Sequence, residues 1–160
     1  MKVILIFLSN IKSTAERGYN MSQITFRKLK KYKYQLQKTF SLKINIYPAS
    51  KISTDYIGLE KNGILTVYKG YAWDGPSGPA IDFKSYMRGS LVHDVLYQLM
   101  REKLIDYSNK EYADRLFEKM ICEDGIFKSA AKVSYFALKI FGRQAIQNKK
   151  IKVNREYKAP

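Results

Sequence analysis

The hexapeptide Asp74-Gly75-Pro76-Ser77-Gly78-Pro79 constrains this chain most, because two glycines and two prolines in six residues suit neither a helix nor a sheet interior. It reads as an irregular, stiff loop, and the chain changes character across it. Before the loop, Phe40 to Tyr47 runs F-S-L-K-I-N-I-Y, the apolar and polar alternation of a strand with one buried face, and Pro48 ends it. Tyr56 to Leu59 and Ile64 to Tyr71 flank Glu60-Lys61-Asn62-Gly63, where Asn62-Gly63 is expected to supply the positive φ angles of a tight hairpin. Tyr32, Tyr34 and Leu36 alternate in the same way and fit a half-buried strand better than an aromatic surface for nucleic acid. No helical pattern separates one strand from the next, so the sheet should be antiparallel.

After the loop the apolar period becomes that of a helix. Lys84 to Arg101 places Leu91, Val92, Val95, Leu96, Leu99 and Met100 on one broad face. Ser108 followed by Glu111 has capping-box spacing, Ala113, Leu116, Phe117, Met120 and Ile121 form the next stripe, and Gly125 stops that helix. A third helix, from Ser129 to about Gln147, carries Val133, Phe136, Ala137, Ile140 and Phe141 on one side. Beside Lys132, Lys139 and Arg143, this stripe is open to two readings: a third core helix, or a face that docks on an anionic membrane. The expected class is α+β, an N-terminal antiparallel sheet or hairpin, a Gly/Pro-rich loop and three helices, two of them an antiparallel pair.

A chain of 160 residues has room for one domain, here residues 24–147, between an N-terminal arm at 1–23 and a basic tail at 148–160. The apolar run Val3 to Leu8 is too short for a membrane span and shorter than a signal-peptide core, so secretion is not expected. The net charge of +15 sits mostly at the two ends. Arg27, Lys28, Lys30, Lys31, Lys33 and Lys38 form one basic run, and Arg143, Lys149, Lys150, Lys152, Arg155 and Lys158 another, against Glu156. Residues 39–142 hold 14 basic and 12 acidic residues, only +2. Arg27, Lys28, Lys30, Lys31, Lys33, Lys149, Lys150 and Lys152 are therefore candidates for an anionic partner, or else solvated faces kept for solubility. A single cysteine, Cys122, excludes an internal disulfide and is expected to be a small buried residue. With His93 as the lone histidine, zinc sites built on several His or Cys ligands are out, any metal must be held by oxygen, and no nucleotide cofactor is expected.

Chemistry concentrates on the first two helices. His93 and Asp94 leave the first about 100° apart and so serve different directions. His93 lies at the margin of the apolar face with Tyr97 one turn on, and Asp114 holds the equivalent place on the second helix. If these helices pack antiparallel, a hydrogen bond from one His93 nitrogen to Asp114 would fix the tautomer and leave the other nitrogen free to accept a proton. Alternatively, Asp114 is a salt-bridge partner of Arg88 or Lys110 and His93 a satisfied structural residue. Asp94 would point toward the Gly/Pro loop, whose carbonyls, with Asp74 and Asp82 as further oxygen donors, suit calcium rather than zinc. Asp74 also suits an Asx-turn, Trp73 a core plug, and Ser77, beside proline, a rigid loop rather than a nucleophile elbow.

Three ordered motifs carry a resemblance. Gly70-Tyr71-Ala72-Trp73-Asp74-Gly75-Pro76-Ser77-Gly78-Pro79, then Arg88-Gly89-Ser90-Leu91-Val92-His93-Asp94-Val95-Leu96-Tyr97, then Ala113-Asp114-Arg115-Leu116-Phe117, resemble a bacterial and phage family known only as a domain of unknown function, over about residues 31–142. The resemblance implies a phage or prophage setting, host cytoplasm or virion, and no particular activity. The His-Asp-x-x-Tyr helix behind a glycine-rich loop is also similar to calcium-dependent phospholipases of the A-two type. That similarity implies His93 as the base, Tyr97 and Asp114 as its support, Asp94 as the calcium carboxylate, and carbonyls near Trp73, Gly75 and Gly78 as further ligands. The chain departs from those enzymes in having no disulfides, Val92 and Leu96 where they have cysteines, and prolines in the loop. Two functions follow as expectations. One is a small calcium-dependent ester hydrolase acting on phospholipid. The other is a non-catalytic phage accessory or virion protein, binding nucleic acid or another phage protein through its basic flanks.

Overall fold

A computed structural model of the chain describes residues 23–29, 34–76 and 84–147. Tyr32, Lys30, Lys31, Lys33, Ser77, Gly78, Pro79, Asp82, Lys149, Lys150 and Lys152 lie outside the described residues, as do residues 1–22 and the basic tail.

The alternating half forms short antiparallel strands: β1 (Phe26–Lys28), β2 (Tyr34–Leu36), β3 (Phe40–Lys43), β4 (Ile52–Ser53), β5 (Ile57–Leu59), β6 (Ile64–Val67) and β7 (Ala72–Trp73). They make two sheets, ordered β1-β2-β7 and β3-β6-β5-β4, where one sheet is predicted. The cause lies at Gly70. Its φ of +100° turns the chain, so the predicted strand from Ile64 to Tyr71 breaks after Val67. Its continuation pairs with β2 instead, through Leu36 N–H to the Tyr71 carbonyl and Gly70 N–H to the Leu36 carbonyl, each 2.9 Å. The alternation that starts in β3 continues past its end, with Ile44 and Ile46 buried and Asn45 and Tyr47 exposed. In the β5–β6 hairpin only Gly63 has positive φ, +80°, and Glu60 and Ile64 close the loop by a 2.9 Å hydrogen bond. The turn is thus a three-residue loop with one left-handed glycine, and Asn62 instead accepts from the Ile64 N–H through its side chain.

Three helices follow: α1 (Lys84–Arg101), α2 (Lys110–Glu123) and α3 (Lys128–Gln147). Thirteen of the eighteen residues of α1 are buried, which makes it the central element. One side packs Leu91, Val92, Val95, Leu96 and Leu99 against Ile57, Leu59, Leu65 and Val67 of the sheet in one continuous core. Its other side is covered by α2 and α3. Gly89 lets α2 approach closely: a Cβ there would stand 2.9 Å from Ile121 and 3.2 Å from Phe117. The pair runs antiparallel, since Arg88 reaches Glu123 and Asp124 at one end while Tyr97 reaches Asp114 further along.

The approach to α2 differs from the predicted capping box. Ser108 lies in a 3-10 turn, Tyr107–Asn109, whose start is capped by the Asp106 carboxylate accepting from the Ser108 N–H at 2.8 Å. Glu111 turns away and accepts from Tyr135 and Arg115. Gly125, φ +103°, ends α2 as expected. Cys122 is only partly buried, at the edge of a small cluster around Tyr86, Phe117, Ile121 and Ala131. The larger correction concerns α3. It buries Ala131, Tyr135, Gly142 and Ile146, while Val133, Phe136, Ile140 and Phe141 face outward, so the predicted stripe is not its core face.

Candidate functional site

His93 reaches α2 because the antiparallel pair sets residues 93 and 97 of α1 opposite residue 114 of α2. His93 Nε2 lies 3.0 Å from Asp114 Oδ1, the Tyr97 hydroxyl donates to the same oxygen at 2.7 Å, and Lys110 Nζ donates to Oδ2 at 2.7 Å. Asp114 has 0% exposure and His93 6%. Burial pushes the Asp114 carboxyl up, but the hydrogen bonds from His93, Lys110 and Tyr97 outweigh it and hold the carboxyl below the usual carboxylate range. An ionised carboxylate only accepts, so His93 donates from Nε2–H, which in the neutral ring leaves the lone pair on Nδ1. Among the described residues, Nε2 is the only His93 nitrogen with a hydrogen-bond partner. The ring is wedged between Tyr97, with centroids 4.0 Å apart, and Phe117, 5.4 Å away. Burial first, then the bond to the Asp114 carboxylate, push the Tyr97 hydroxyl far above the phenol range, so it serves as a neutral donor.

The third helix closes the back of this cluster. Lys110 Nζ also donates to the Leu138 carbonyl at 3.1 Å, and a Cβ on Gly142 would lie 2.3 Å from the Tyr97 hydroxyl. Lys110 and Gly142 belong to the site, though the histidine-carboxylate motif does not include them. Their sequence signals are a lysine four residues before a buried aspartate and a glycine inside an otherwise unbroken helix. Arg88 is engaged elsewhere, with Glu123 and Asp124.

Asp94, on α1, is partly buried. Its charge acts on Tyr71, whose hydroxyl donates to Gln98 at 3.0 Å. Burial, and after it the charge of Asp94, hold that hydroxyl well above the phenol range, with Asp74 and Glu102 acting in the same direction and Arg101 against them. Asp94 and Asp74 thus both act on the Tyr71 hydroxyl. Trp73 is a core plug: its indole N–H donates to Ser90 at 3.2 Å and its ring packs beside Tyr34 and Phe26. Gly75, φ +75°, turns the chain where a Cβ would meet the Tyr34 ring at 2.5 Å. Asp74, Asp94 and the backbone carbonyls around Gly75 carry oxygen atoms, the donor type that calcium takes. No group of three or more His, Cys, Asp or Glu suited to a metal occurs among the described residues, so backbone carbonyls would have to complete any such site.

Of the basic candidates, Arg27 and Lys28 are exposed on β1, and Arg27 Nε donates to Gln35 at 2.9 Å. A cleft of about 510 Å³ between Phe40, Asn45, Arg88, Tyr112 and Lys119 is not lined by His93. Among the described residues no helix is long and apolar enough to cross a membrane. Comparison with family models, curated proteins and solved structures finds no match.

Proposed function

We propose that this protein is a small ester hydrolase, with phospholipid as its substrate class and His93 as its general base. The observation that carries this reading is the bond from His93 Nε2 to a buried, ionised Asp114, which leaves Nδ1 as the proton acceptor. In the reaction, Nδ1 takes a proton from water as its oxygen attacks the ester carbonyl carbon. The imidazolium then returns that proton to the departing alkoxide, giving an alcohol and a carboxylic acid, which loses its own proton to solvent. Asp114 keeps the ring oriented and stabilises its charged form, and Tyr97 holds Asp114. Asp94 and Asp74, with carbonyls near Trp73 and Gly75, are the residues that would hold calcium, which when bound supplies an electrophile for the ester carbonyl. The similarity of the His93-Asp94-x-x-Tyr97 helix to A-two phospholipases supports the substrate class, and the motif resemblance supports a phage or prophage setting, in host cytoplasm or virion.

The test is fatty-acid release from phospholipid vesicles by wild type, His93→Ala and wild type with chelator. A loss of at least about a hundredfold in His93→Ala, with the fold intact, is expected. Chelator is expected to have the same effect. No hydrolysis by wild type, or hydrolysis that survives His93→Ala, would overturn the assignment. A second reading then takes its place, favoured by Lys110, which neutralises Asp114 as a purely structural network requires. The protein would be a non-catalytic accessory or virion component whose basic flanks bind nucleic acid or a phage protein, with binding that weakens as salt rises.

A further inference from the structure

Helix α3 has two apolar faces, and only one is used inside the molecule. Ala131, Tyr135, Gly142 and Ile146 pack inward. Val133, Phe136, Ile140 and Phe141 project from the opposite side, about 180° away at 100° per residue. Val133 is 70% exposed and Ile140 and Phe141 67% each, and Phe127, just before the helix, is more exposed still. Bulky aliphatic and aromatic side chains at this spacing on a solvent face are not needed for folding, since the core is complete without them.

The charges beside this stripe indicate what covers it. Lys128, Lys132, Lys139 and Arg143 project along one edge of it, all exposed, and the helix contains no Asp or Glu. Lys139 lies near enough to Glu111 to help lower that carboxyl, and among the described residues none of the four closes a salt bridge. The chain that follows the helix adds Lys149, Lys150, Lys152, Arg155 and Lys158 against one acid, Glu156. An apolar stripe bordered by cations, running into a basic tail, matches an interface that is apolar within and anionic at its rim. A second copy matches it less well: a face-to-face antiparallel pairing about a twofold axis would bring the two cationic edges together.

We propose that α3 is a membrane-docking helix. It lies in the plane of an anionic lipid surface, with Val133, Phe136, Ile140 and Phe141 among the acyl chains and Lys132, Lys139 and Arg143 at the headgroups. This goes beyond the hydrolase reading, because it concerns the opposite face of α3 from the one that packs on Tyr97 and Lys110, and it holds with or without chemistry at His93.

The test is co-sedimentation of the full chain with vesicles of phosphatidylcholine alone or mixed equally with phosphatidylglycerol. Wild type should bind the mixed vesicles and scarcely the neutral ones. The triple variant Val133→Ser, Ile140→Ser, Phe141→Ser should bind at least about tenfold more weakly with its thermal midpoint unchanged, because those three side chains are two-thirds or more exposed. Lys132→Gln with Lys139→Gln and Arg143→Gln should lose the preference for phosphatidylglycerol. His93→Ala should bind as wild type does, which separates this surface from the catalytic assignment. Equal binding by the serine variant would overturn the proposal and leave the basic tail as the source of attraction. A dimer in sedimentation that the serine substitutions dissociate, without vesicle binding, would overturn it in favour of a second copy.

Discussion

Asp114 keeps a full charge where it has no exposed surface, and three donors make that tolerable. Replacing it by alanine leaves the Lys110 ammonium, the Tyr97 hydroxyl and the His93 Nε2–H facing a gap, with the ammonium largely out of water. Removing one partner of a buried ion pair costs about 3–5 kcal/mol, and Asp114→Ala is expected in that range by urea unfolding. The same carboxylate sets an acid dependence. Its pKa is lowered in the folded protein, so its contribution is fully present above the unfolded value, about 3.9, and is lost as pH falls through the folded one. Wild type should therefore lose stability over that acid interval while Asp114→Asn loses less, and parallel acid curves would contradict the assignment. Gly142 is coupled to the same atoms. Alanine favours a helix by about 1 kcal/mol over glycine, yet its Cβ would collide with a Tyr97 hydroxyl that Asp114 pins in place. Gly142→Ala should thus destabilise by about 1–3 kcal/mol. In a Tyr97→Phe background, which lacks the colliding oxygen, it should do so far less, and additive effects in that double-mutant cycle would rule out the contact.

At the scale of elements, two glycines with left-handed backbone separate conformational strain from collision. Gly125 ends α2 at φ +103° with nothing closer to a Cβ than Ser85 Oγ at 3.9 Å, whereas a Cβ on Gly63 would stand 2.4 Å from the Ile44 carbonyl oxygen. Gly125→Ala should lower stability by only the conformational cost, about 1–2 kcal/mol. Gly63→Ala should cost clearly more and shift the β5–β6 hairpin, since a backbone carbonyl cannot step aside; equal losses in thermal unfolding would refute this ordering. These elements also show what a sequence discloses. The span of α1 and the stop at Gly125 were legible because periodicity and a left-handed glycine are local properties. The two-sheet arrangement was not, because the φ of Gly70 ends β6 only when a partner such as Leu36 is in place to receive the next segment. The cap before α2 misled because Asp106 and Ser108 both carry capping side chains, and the 3-10 turn that chose between them is set by packing. His93 and Asp114 could be paired from their matching places at the margins of two apolar stripes. Which of α3's two apolar faces turns inward depended on Gly142 meeting Tyr97, a long-range contact with no periodicity of its own.

Across the whole molecule, sheet and helices meet where Asp74, at the end of β7, and Asp94, on α1, both bear on Tyr71. A cation held by both carboxylates would join the layers and favour the folded state over the unfolded one. With the ion in excess of its dissociation constant by about a hundredfold, this linkage adds about 2.7 kcal/mol, enough to raise Tm by several degrees in a domain of this size. Calcium should give that rise. Magnesium should give less, because it demands a near-octahedral shell and keeps its water, whereas a loop of carbonyls offers irregular oxygen donors. In Asp94→Asn the calcium rise should vanish. An unchanged wild-type Tm in calcium, or an equal rise in Asp94→Asn, would leave the ion without a site at this junction. Hydrolysis would then have to proceed on His93 and Asp114 alone, with the ester carbonyl polarised by backbone N–H groups and not by a metal.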